Sequence, residues 1–583
     1  MQLFETVNSF LAQFVLNSTT AFLTSSPQST PLVNVKNGTL AGVHNAAFNQ
    51  DFFFGIPFAT PPVGKHRLQR PEPPQAWNGT RNADVHSPWC AGSSQLVGHL
   101  PGFTQSFDSV APTSEDCLYL DIVRPATALP EQAPLPEQAS LPVLVWIHGG
   151  GWVTGSGTDP RYNGSFLVQK SVKMETPIIY VSINYRLGTF GFLAGSAIEA
   201  AGLTNNGLRD QRQALLWIQE NIAAFGGDPD RVTLFGESAG AASIGQQLIA
   251  FGGRDDNLFH GAIMQSGFAA TAHPLADAPT RENAFQGILN ATGCLTSQDS
   301  IACLQAVPTE ILGLASPPRM ILITTNDDFF PELPSKSLED GHFLKVPIIA
   351  GINRNEGTAL MAMIIAGLDM SLNTFEEFAA LFAGRDFPAA AIRKLWDLYG
   401  DEIENPTEAG LGPISPSQAA PLGLEFSRTS LWHGDNLFTF PKRHTNQIWS
   451  GFGVPSYSYF FDITPDESFL DPAIYGVPHF AEIAYVFGNA EAVGWEKNPI
   501  PQESDKADAA EMMDLISRMW ISFTVTGSPN NHKKADVKQR WPEYSNVDPT
   551  SAWFKLSGLT TQADTWRQEA MEIYLESAKG SEW

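Results

Sequence analysis

The sequence predicts an α/β protein with one large, mostly parallel central sheet flanked by helices. Helical patterns such as Asp210 to Ala224 alternate with apolar, β-branched runs, an order typical of such sheets. These strand-like runs lie near residues 143–147, 178–185, 231–235, 261–266 and 346–350. No long linker, repeat or low-complexity block divides the 583 residues. A single elaborated domain over residues 31–583 is therefore expected.

The N-terminal segment, residues 1–30, does not fit this pattern. It has an apolar character, but it carries Glu5 and lacks a positively charged start, so it is a poor signal peptide. We expect a segment of uncertain order before the domain.

Ser238 is the candidate nucleophile. It lies in the run Gly236-Glu237-Ser238-Ala239-Gly240, directly after the strand-like stretch Val232 to Phe235. A sharp strand-to-helix turn of this G-x-S-x-G form lifts the serine hydroxyl above the edge of a sheet, and its glycines avoid collisions in the turn. With 49 glycines in the chain, roughly 0.3 chance matches are expected, so the motif needs partners.

A glycine run supplies the first partner, a candidate oxyanion hole. The buried strand predicted at Leu144 to Ile147 leads straight into His148-Gly149-Gly150-Gly151-Trp152. Backbone N–H groups in such a run can approach a substrate oxygen without interference from Cβ atoms. We assign the N–H groups of Gly150, Gly151 and Ala239 to this hole, with His148 supporting the run.

His479 is the candidate general base among twelve histidines. It lies where a loop bounded by Gly476 and Pro478 opens an amphipathic helix, and loops held by a rigid scaffold often carry catalytic side chains. His148 is the main rival, but it adjoins the glycine run.

Glu356 is the candidate carboxylate that orients the base. It follows the strand-like run Val346 to Ala350, at the sheet edge expected to carry Ser238. From spacing alone, a surface glutamate in a turn is the favoured interpretation of Glu356. The chain order Ser238, Glu356, His479 nevertheless matches that of α/β-hydrolases.

Several longer blocks give the chain a family resemblance. They include Phe54 to Ala59, Glu115 to Ile122, Phe225 to Gly240, Met264 to Gly267 and Trp520 to Pro529. On these blocks the chain resembles the type-B carboxylesterase/lipase family, the cholinesterase-like α/β-hydrolases, and is most similar to their secreted fungal esterase/lipase branch. The resemblance covers residues 31 to about 575. It implies the α/β-hydrolase fold, a Ser238–Glu356–His479 triad and an oxyanion hole at Gly150, Gly151 and Ala239.

The function that this resemblance implies is hydrolysis of a small-molecule or lipid ester through an acyl-enzyme, without a cofactor. Two alternatives stay open. An acyltransferase or natural-product tailoring enzyme would use the same triad with an alcohol or amine as acceptor. A cholinesterase-like binding protein would keep the fold without the chemistry.

Composition excludes several other classes. The net charge of −26 leaves no basic stripe for nucleic acid and disfavours anionic membranes, although transient contact with a neutral lipid interface is compatible with it. No apolar run reaches the length of a transmembrane helix. Four cysteines and scattered histidines show no metal-ligand spacing, so no metal site is predicted. The oligomeric state is open.

The even number of cysteines favours a secreted protein. Proximity along the chain pairs Cys90 with Cys117 and Cys294 with Cys303, which is also the pattern of the resembled family. Cys294 and Cys303 could equally be reduced thiols in a cytoplasmic enzyme. Candidate N-glycosylation sequons occur, at a frequency that chance alone would produce, at Asn17, Asn37, Asn78, Asn163 and Asn290.

The loop from Ala91 to Asp116 bears on the substrate. In the resembled family this segment overhangs the active site and is a lid in the lipases. Its apolar residues here predict either a cover for a lipophilic cleft or a small satellite core. It has no tryptophan to hold a choline group, so choline esters are not expected as substrates. The apolar run Ala359 to Ile365 predicts a helix that either lines the pocket or packs in the core.

Overall fold

A computed structural model describes most of the chain. The described residues are 30–92, 112–126, 140–270, 275–315, 323–368, 371–382, 388–407, 409–415, 417–418 and 422–578. The N-terminal segment, including Asn17, and residues 93–111 of the loop from Ala91 to Asp116 therefore lie outside the described residues.

Eleven strands form one central sheet in the order β16-β15-β14-β13-β12-β11-β9-β10-β8-β4-β3. Their bounds are β3 (Val43–Asn45), β4 (Gln50–Pro57), β8 (Tyr119–Pro125), β9 (Leu141–Ile147), β10 (Ile179–Ile183), β11 (Gly227–Glu237), β12 (Gly261–Gln265), β13 (Ile348–Asn353), β14 (Ser456–Asp462), β15 (Thr550–Lys555) and β16 (Gly558–Ala563). Two small sheets lie apart from it: β1 (Leu32–Val35) with β2 (Gly38–Ala41) and β5 (Thr80–Asn82), and β6 (Trp89–Cys90) with β7 (Thr113–Ser114).

The helices connect and cover these strands. In chain order they are α1 (Ser165–Lys173), α2 (Gly188–Phe192), α3 (Ser196–Ala200), α4 (Asn206–Asn221), α5 (Ala239–Gly253), α6 (Ala278–Ala291), α7 (Ser300–Ala306), α8 (Thr309–Ala315), α9 (Pro334–Glu339), α10 (Gly357–Leu368), α11 (Phe375–Phe382), α12 (Ala389–Glu404), α13 (Phe426–Gly434), α14 (Phe440–Gly451), α15 (Pro472–Tyr475), α16 (Ile483–Phe487), α17 (Lys506–Thr526) and α18 (Gln568–Ala578).

The central strands are parallel, as the sequence predicts. All neighbouring pairs from β10 through β9, β11, β12, β13 and β14 to β15 are parallel. The strands at both edges are antiparallel: β8, β4 and β3 on one side and β16 on the other. Parallel strands end at a common sheet edge, so the loops that follow β9, β11 and β13 lie near one another.

Side chains of the central strands alternate between two cores. In β9, Val143, Val145 and Ile147 pack in one buried cluster, whereas Leu144 and Trp146 pack in a second cluster on the opposite face. This period of two is what strand geometry requires. The sheet is therefore buried on both faces, which explains why its strands read as continuous apolar runs.

Both predicted disulfides are present. Cys90 pairs with Cys117 and Cys294 pairs with Cys303, with Cα atoms 5.0 and 5.8 Å apart. The first bridge closes the base of the loop from Ala91 to Asp116. Among the described residues, no helix combines the length and the apolar character needed to cross a membrane.

Candidate active site

Ser238 occupies a strained turn between β11 and α5. Its φ and ψ are 57° and −127°, a conformation that an L residue adopts only when its surroundings impose it. The Ser238 N–H is bonded to the carbonyl of Gln265 in the neighbouring strand at 2.9 Å, which fixes the turn. The serine is half-buried at the end of the sheet, as the G-x-S-x-G run predicts.

Close packing explains the glycines around it. A Cβ atom on Gly240 would lie 2.0 Å from the carbonyl oxygen of Ile147, and one on Gly267 would lie 2.1 Å from the carbonyl oxygen of Ser238. Neither position tolerates a side chain. The serine turn therefore depends on glycines from two different loops.

The three predicted oxyanion-hole donors lie beside Ser238. Gly150 and Gly151 adopt φ values of 101° and 62°, and the same cavity is lined by both glycines and by Ser238. Ala239 is the first residue of α5, where helical N–H groups lack intrahelical acceptors. Across the described ranges, the N–H groups of these three residues donate to no protein acceptor. They can therefore receive a substrate oxygen.

His148 contacts the glycine run and supports it, as predicted. It is buried, its ring stacks on Tyr185 at 4.4 Å, and its Nδ1 lies 2.8 Å from the carbonyl oxygen of Gly149. Burial lowers the pKa of His148 to about 4, so the ring is neutral at pH 7 and Nδ1–H can donate to that carbonyl. This bond orients the peptide plane that carries the Gly150 N–H.

His479 is paired with Glu356. Its Nδ1 lies 2.6 Å from Glu356 Oε2, and both side chains are buried. The other carboxylate oxygen of Glu356 accepts hydrogen bonds from the Asn353 N–H at 2.6 Å and from Ser266 Oγ at 2.5 Å. Glu356 is therefore fully engaged as an acceptor and is not a surface residue in a turn.

Two asparagines join the loops that carry Glu356 and His479. Asn355 exchanges two hydrogen bonds with Val477: its N–H donates to the Val477 carbonyl at 2.8 Å, and its Oδ1 accepts from the Val477 N–H at 3.0 Å. Asn353 Nδ2 donates to the Pro478 carbonyl at 3.0 Å. The two loops, more than a hundred residues apart in sequence, are thereby held in register.

The free nitrogen of His479 faces a second carboxylate. Its Nε2 lies 3.0 Å from Glu237 Oε1, but neither atom makes a hydrogen bond of acceptable geometry within the described residues. His479 and Ser238 line the same cavity without being hydrogen-bonded to each other. Catalytic hydrogen bonds are often loose before substrate binds, so this geometry is compatible with a general base.

Three buried glutamates set the electrostatics of His479. Burial by itself would lower the pKa of His479, but the charges of Glu237, Glu356 and Glu482 outweigh it and raise the pKa to about 9. Burial raises the pKa of Glu237 as well, but the positive charge of His479 opposes that shift and favours the Glu237 carboxylate beside it. The base therefore holds its proton more tightly than an ordinary histidine.

This electrostatic setting predicts the pH dependence of turnover. A general base must be neutral, so kcat/KM should fall on the acid side with an apparent pKa above 6.5 and approaching about 9. In Glu237→Gln, removal of one negative charge should lower the pKa of His479 and move this limb to lower pH. The pH profiles of kcat/KM for both enzymes measure the shift, and coincident acid limbs would contradict the prediction.

Several residues of the site were not predicted from the sequence. Glu482 is buried and accepts hydrogen bonds from Gln265 Nε2 at 3.0 Å and from Asn353 Nδ2 at 2.7 Å. Trp520 Nε1 in turn donates to Gln265 Oε1 at 3.0 Å. Two of these residues had a sequence position that points to the site: Glu237 precedes Ser238 within the G-x-S-x-G motif, and Asn353 lies at the end of a strand.

The cavity above Ser238 is predominantly apolar. Its volume is about 200 Å³, and its apolar wall is formed by Val153, Tyr162, Ala359, Leu360, Met363 and Phe480. The run Ala359 to Ile365 lies in helix α10, as predicted, and contributes both to this wall and to the core. A buried ion pair, Asp159 with Arg161 at 2.7 Å, lies at one side of the cavity.

A serine on a strand–turn–helix elbow, at the end of a mostly parallel sheet covered by helices, defines the α/β-hydrolase class of fold. Comparison with known proteins identifies the family within this class. The chain belongs to the carboxylesterase family, whose model matches residues 29–573. It is a carboxylic ester hydrolase.

Individual relatives and structures agree with this family. The chain is 31% identical to Secreted lipase 1 of Botryotinia fuckeliana, over 88% of each chain. It is 34% identical to the acetylcholinesterase of Bungarus fasciatus, over 88% of this chain and 80% of that one. EstA of Aspergillus niger superposes with a TM-score of 0.77 at 25% identity, covering 96% of this chain and all of EstA.

Proposed function

We propose that the protein hydrolyses apolar carboxylic esters with Ser238 as nucleophile, His479 as general base and Glu356 as its orienting carboxylate. His479 removes the Ser238 proton as the hydroxyl attacks the ester carbonyl, and then protonates the leaving alcohol. A water activated by His479 cleaves the acyl-enzyme and restores Ser238. The N–H groups of Gly150, Gly151 and Ala239 stabilise the oxyanion in both steps.

One observation carries this proposal. The 2.6 Å contact between His479 Nδ1 and Glu356 Oε2 leaves Nε2 without a hydrogen-bond partner within the described residues, and His479 lines the same cavity as Ser238 and the glycine run. Nucleophile, base and oxyanion donors thus converge on one space, as acyl transfer requires. Glu356 accepts the hydrogen bond from Nδ1 and so fixes the tautomer in which Nδ1 carries the proton.

The cavity supports an apolar substrate. Its wall is largely aliphatic and aromatic, and Asp159 and Arg161, at one side of it, form an ion pair. An alkyl or aryl group buried there would gain about 25 cal/mol per Å² of apolar surface removed from water. A relative named as a secreted lipase is consistent with such a substrate.

A series of p-nitrophenyl esters from acetyl to palmitoyl tests this function. We expect turnover that depends on Ser238 and rises from acetyl to longer acyl groups as more apolar surface is buried. A maximum at short chains would favour an esterase with a closed cavity, and a maximum at long chains a lipase. Absence of Ser238-dependent hydrolysis on every ester would overturn the proposal.

We also propose that the protein is secreted, which the two disulfides support. Secretion through a eukaryotic pathway would expose its sequons to glycosylation. Asn78 and Asn290 are exposed, whereas Asn37 Nδ2 is bonded to the Pro74 carbonyl at 2.7 Å.

Glycan occupancy should follow this difference in exposure. After expression in a secreting yeast, enzymatic deglycosylation in heavy-oxygen water should label Asn78 and Asn290 and leave Asn37 unlabelled, as read by peptide mass spectrometry. Labelling of Asn37, or of none of the three, would contradict the prediction.

A further inference from the structure

A wide helical turn lies behind the ring of His479. Helix α13 continues into a π-helical turn, Asp435–Thr439, and then into α14. The Phe440 N–H bonds to the carbonyl of Asp435, five residues earlier, which is the defining bond of a π-helix. From this turn the ring of Phe438 contacts the ring of His479, with centroids 4.9 Å apart and planes inclined by 37°.

We propose that Phe438 is a positioning residue for His479, and that the π-turn delivers its side chain to the imidazole. This inference rests on the proposed function, in which His479 is the base. Phe438 does not line the cavity above Ser238, so its effect would act through the base rather than through substrate binding.

Pro441 gives a sequence-level cause for the turn. In a regular α-helix its nitrogen would bond to the carbonyl of Leu437, but proline has no N–H, and its ring collides with that carbonyl. Widening the preceding turn by one residue avoids the collision. A π-turn also rotates the residues that follow it relative to an α-helical register, so its presence determines which side chains face His479.

The π-turn is anchored through the carboxylate of Asp435. Arg567 donates to both oxygens of Asp435 at 2.6 Å, and the Tyr399 hydroxyl donates to the same carboxylate at 2.8 Å. All three side chains are buried. Phe438 is therefore held by a rigid turn.

Helix α13, which leads into the π-turn, also packs closely against the segment that carries Glu356. A Cβ atom on Gly434, the last residue of α13, would lie 2.9 Å from the backbone nitrogen of Gly357 and 3.5 Å from Glu356 Cβ. One on Gly357 would lie 1.9 Å from the Ser430 carbonyl oxygen. Helix α13, which continues into the π-turn that carries Phe438, thus packs backbone to backbone against the start of α10, directly after Glu356.

Phe438 supplies a restraint that the hydrogen bonds do not. Nε2 lies 3.0 Å from Glu237 Oε1 but makes no hydrogen bond within the described residues. The bond from Nδ1 to Glu356 therefore still allows the imidazole to pivot about it. A buried aromatic ring against one face of the imidazole blocks such a pivot. Misplacing a reacting group by about 1 Å can cost on the order of 100-fold in rate.

The test compares the same substitution at two neighbouring phenylalanines in the full chain. Phe438→Ala should lower kcat about 10–100-fold with little change in KM. It should slow phosphonylation of Ser238 by a p-nitrophenyl phosphonate equally, because that reaction also needs the base. Phe438→Leu, which keeps much of the bulk but not the flat aromatic face, should also lower kcat at unchanged KM, by a smaller factor than Phe438→Ala.

Phe440→Ala is the matched control. Phe440 is also buried, but its ring lies 6.0 Å from that of Tyr574. This variant should lower the melting temperature and leave kcat and the phosphonylation rate unchanged.

Unchanged kcat in Phe438→Ala, or an equal loss of kcat in Phe440→Ala, would overturn the inference. If Phe438→Ala does not fold, Phe438→Leu decides it: a reduced kcat at unchanged KM supports it, and parental values overturn it. Full activity of Ser238→Ala would instead overturn the proposed function, so the two failures are distinguishable.

Discussion

Replacing Ser238 by alanine should lower kcat by about 10⁴–10⁶-fold on any ester that the enzyme hydrolyses. The substitution removes the Ser238 hydroxyl, which lines the same cavity as Gly150, Gly151 and His479, and no covalent intermediate can then form on it. Kinetics with a p-nitrophenyl ester at substrate saturation measure the loss. Near-parental turnover would remove Ser238 from the mechanism.

Ser238→Ala should still fold, and a second variant, Ser238→Gly, tests whether the turn at residue 238 is strained. Alanine retains the Cβ atom that makes a φ of 57° and a ψ of −127° costly, whereas glycine does not. Ser238→Gly should therefore be as inactive as Ser238→Ala but melt at a higher temperature. A Ser238→Gly protein that melts below Ser238→Ala would show that the turn is not strained.

Replacing Glu356 by glutamine should lower kcat by about 10⁴-fold. Glu356 accepts from three donors: His479, Ser266 and the Asn353 N–H. A glutamine amide has one acceptor oxygen, so its NH₂ group must face either His479 Nδ1 or the other two donors. When it faces Nδ1 it imposes the wrong imidazole tautomer, which disables the base.

Glu115→Gln is a suitable control for Glu356→Gln. Glu115 is also a buried glutamate with several donors, but these come from Arg67 and Thr309, and it adjoins Cys117 rather than His479. We expect a lower melting temperature with unchanged kcat. A comparable kcat loss in both variants would mean that any buried carboxylate matters to the same degree, and would contradict the specific role of Glu356.

The sequence predicts the parallel sheet and both disulfides correctly, for local reasons. Buried strands are continuous apolar runs, and each cysteine pairs with its neighbour along the chain. The candidate residues Ser238, Gly150 and Gly151 follow from short motifs whose geometry is encoded in a few adjacent residues. Their catalytic roles stay predictions until turnover is measured.

The surroundings of His479 could not be predicted in this way. Glu237 and Phe438 contact the imidazole from two distant segments, and Glu482 acts on it through its charge. No periodicity specifies this arrangement, and the motif that contains Glu237 does not show that its side chain faces His479. Glu356 is the intermediate case, because its spacing alone favours a surface turn and only the family resemblance places it beside His479. Only the pairing of β13 with its neighbours brings that turn to His479.

The asparagine bridges between the Glu356 and His479 loops have a consequence for local unfolding. Because Asn355 and Val477 exchange two hydrogen bonds, neither loop can open without releasing the other. The amide hydrogens of residues 353–357 and 475–479 should therefore exchange with solvent through one shared opening. On warming, this opening separates the base from its carboxylate while the parallel strands are still intact, so loss of turnover would precede melting of the sheet.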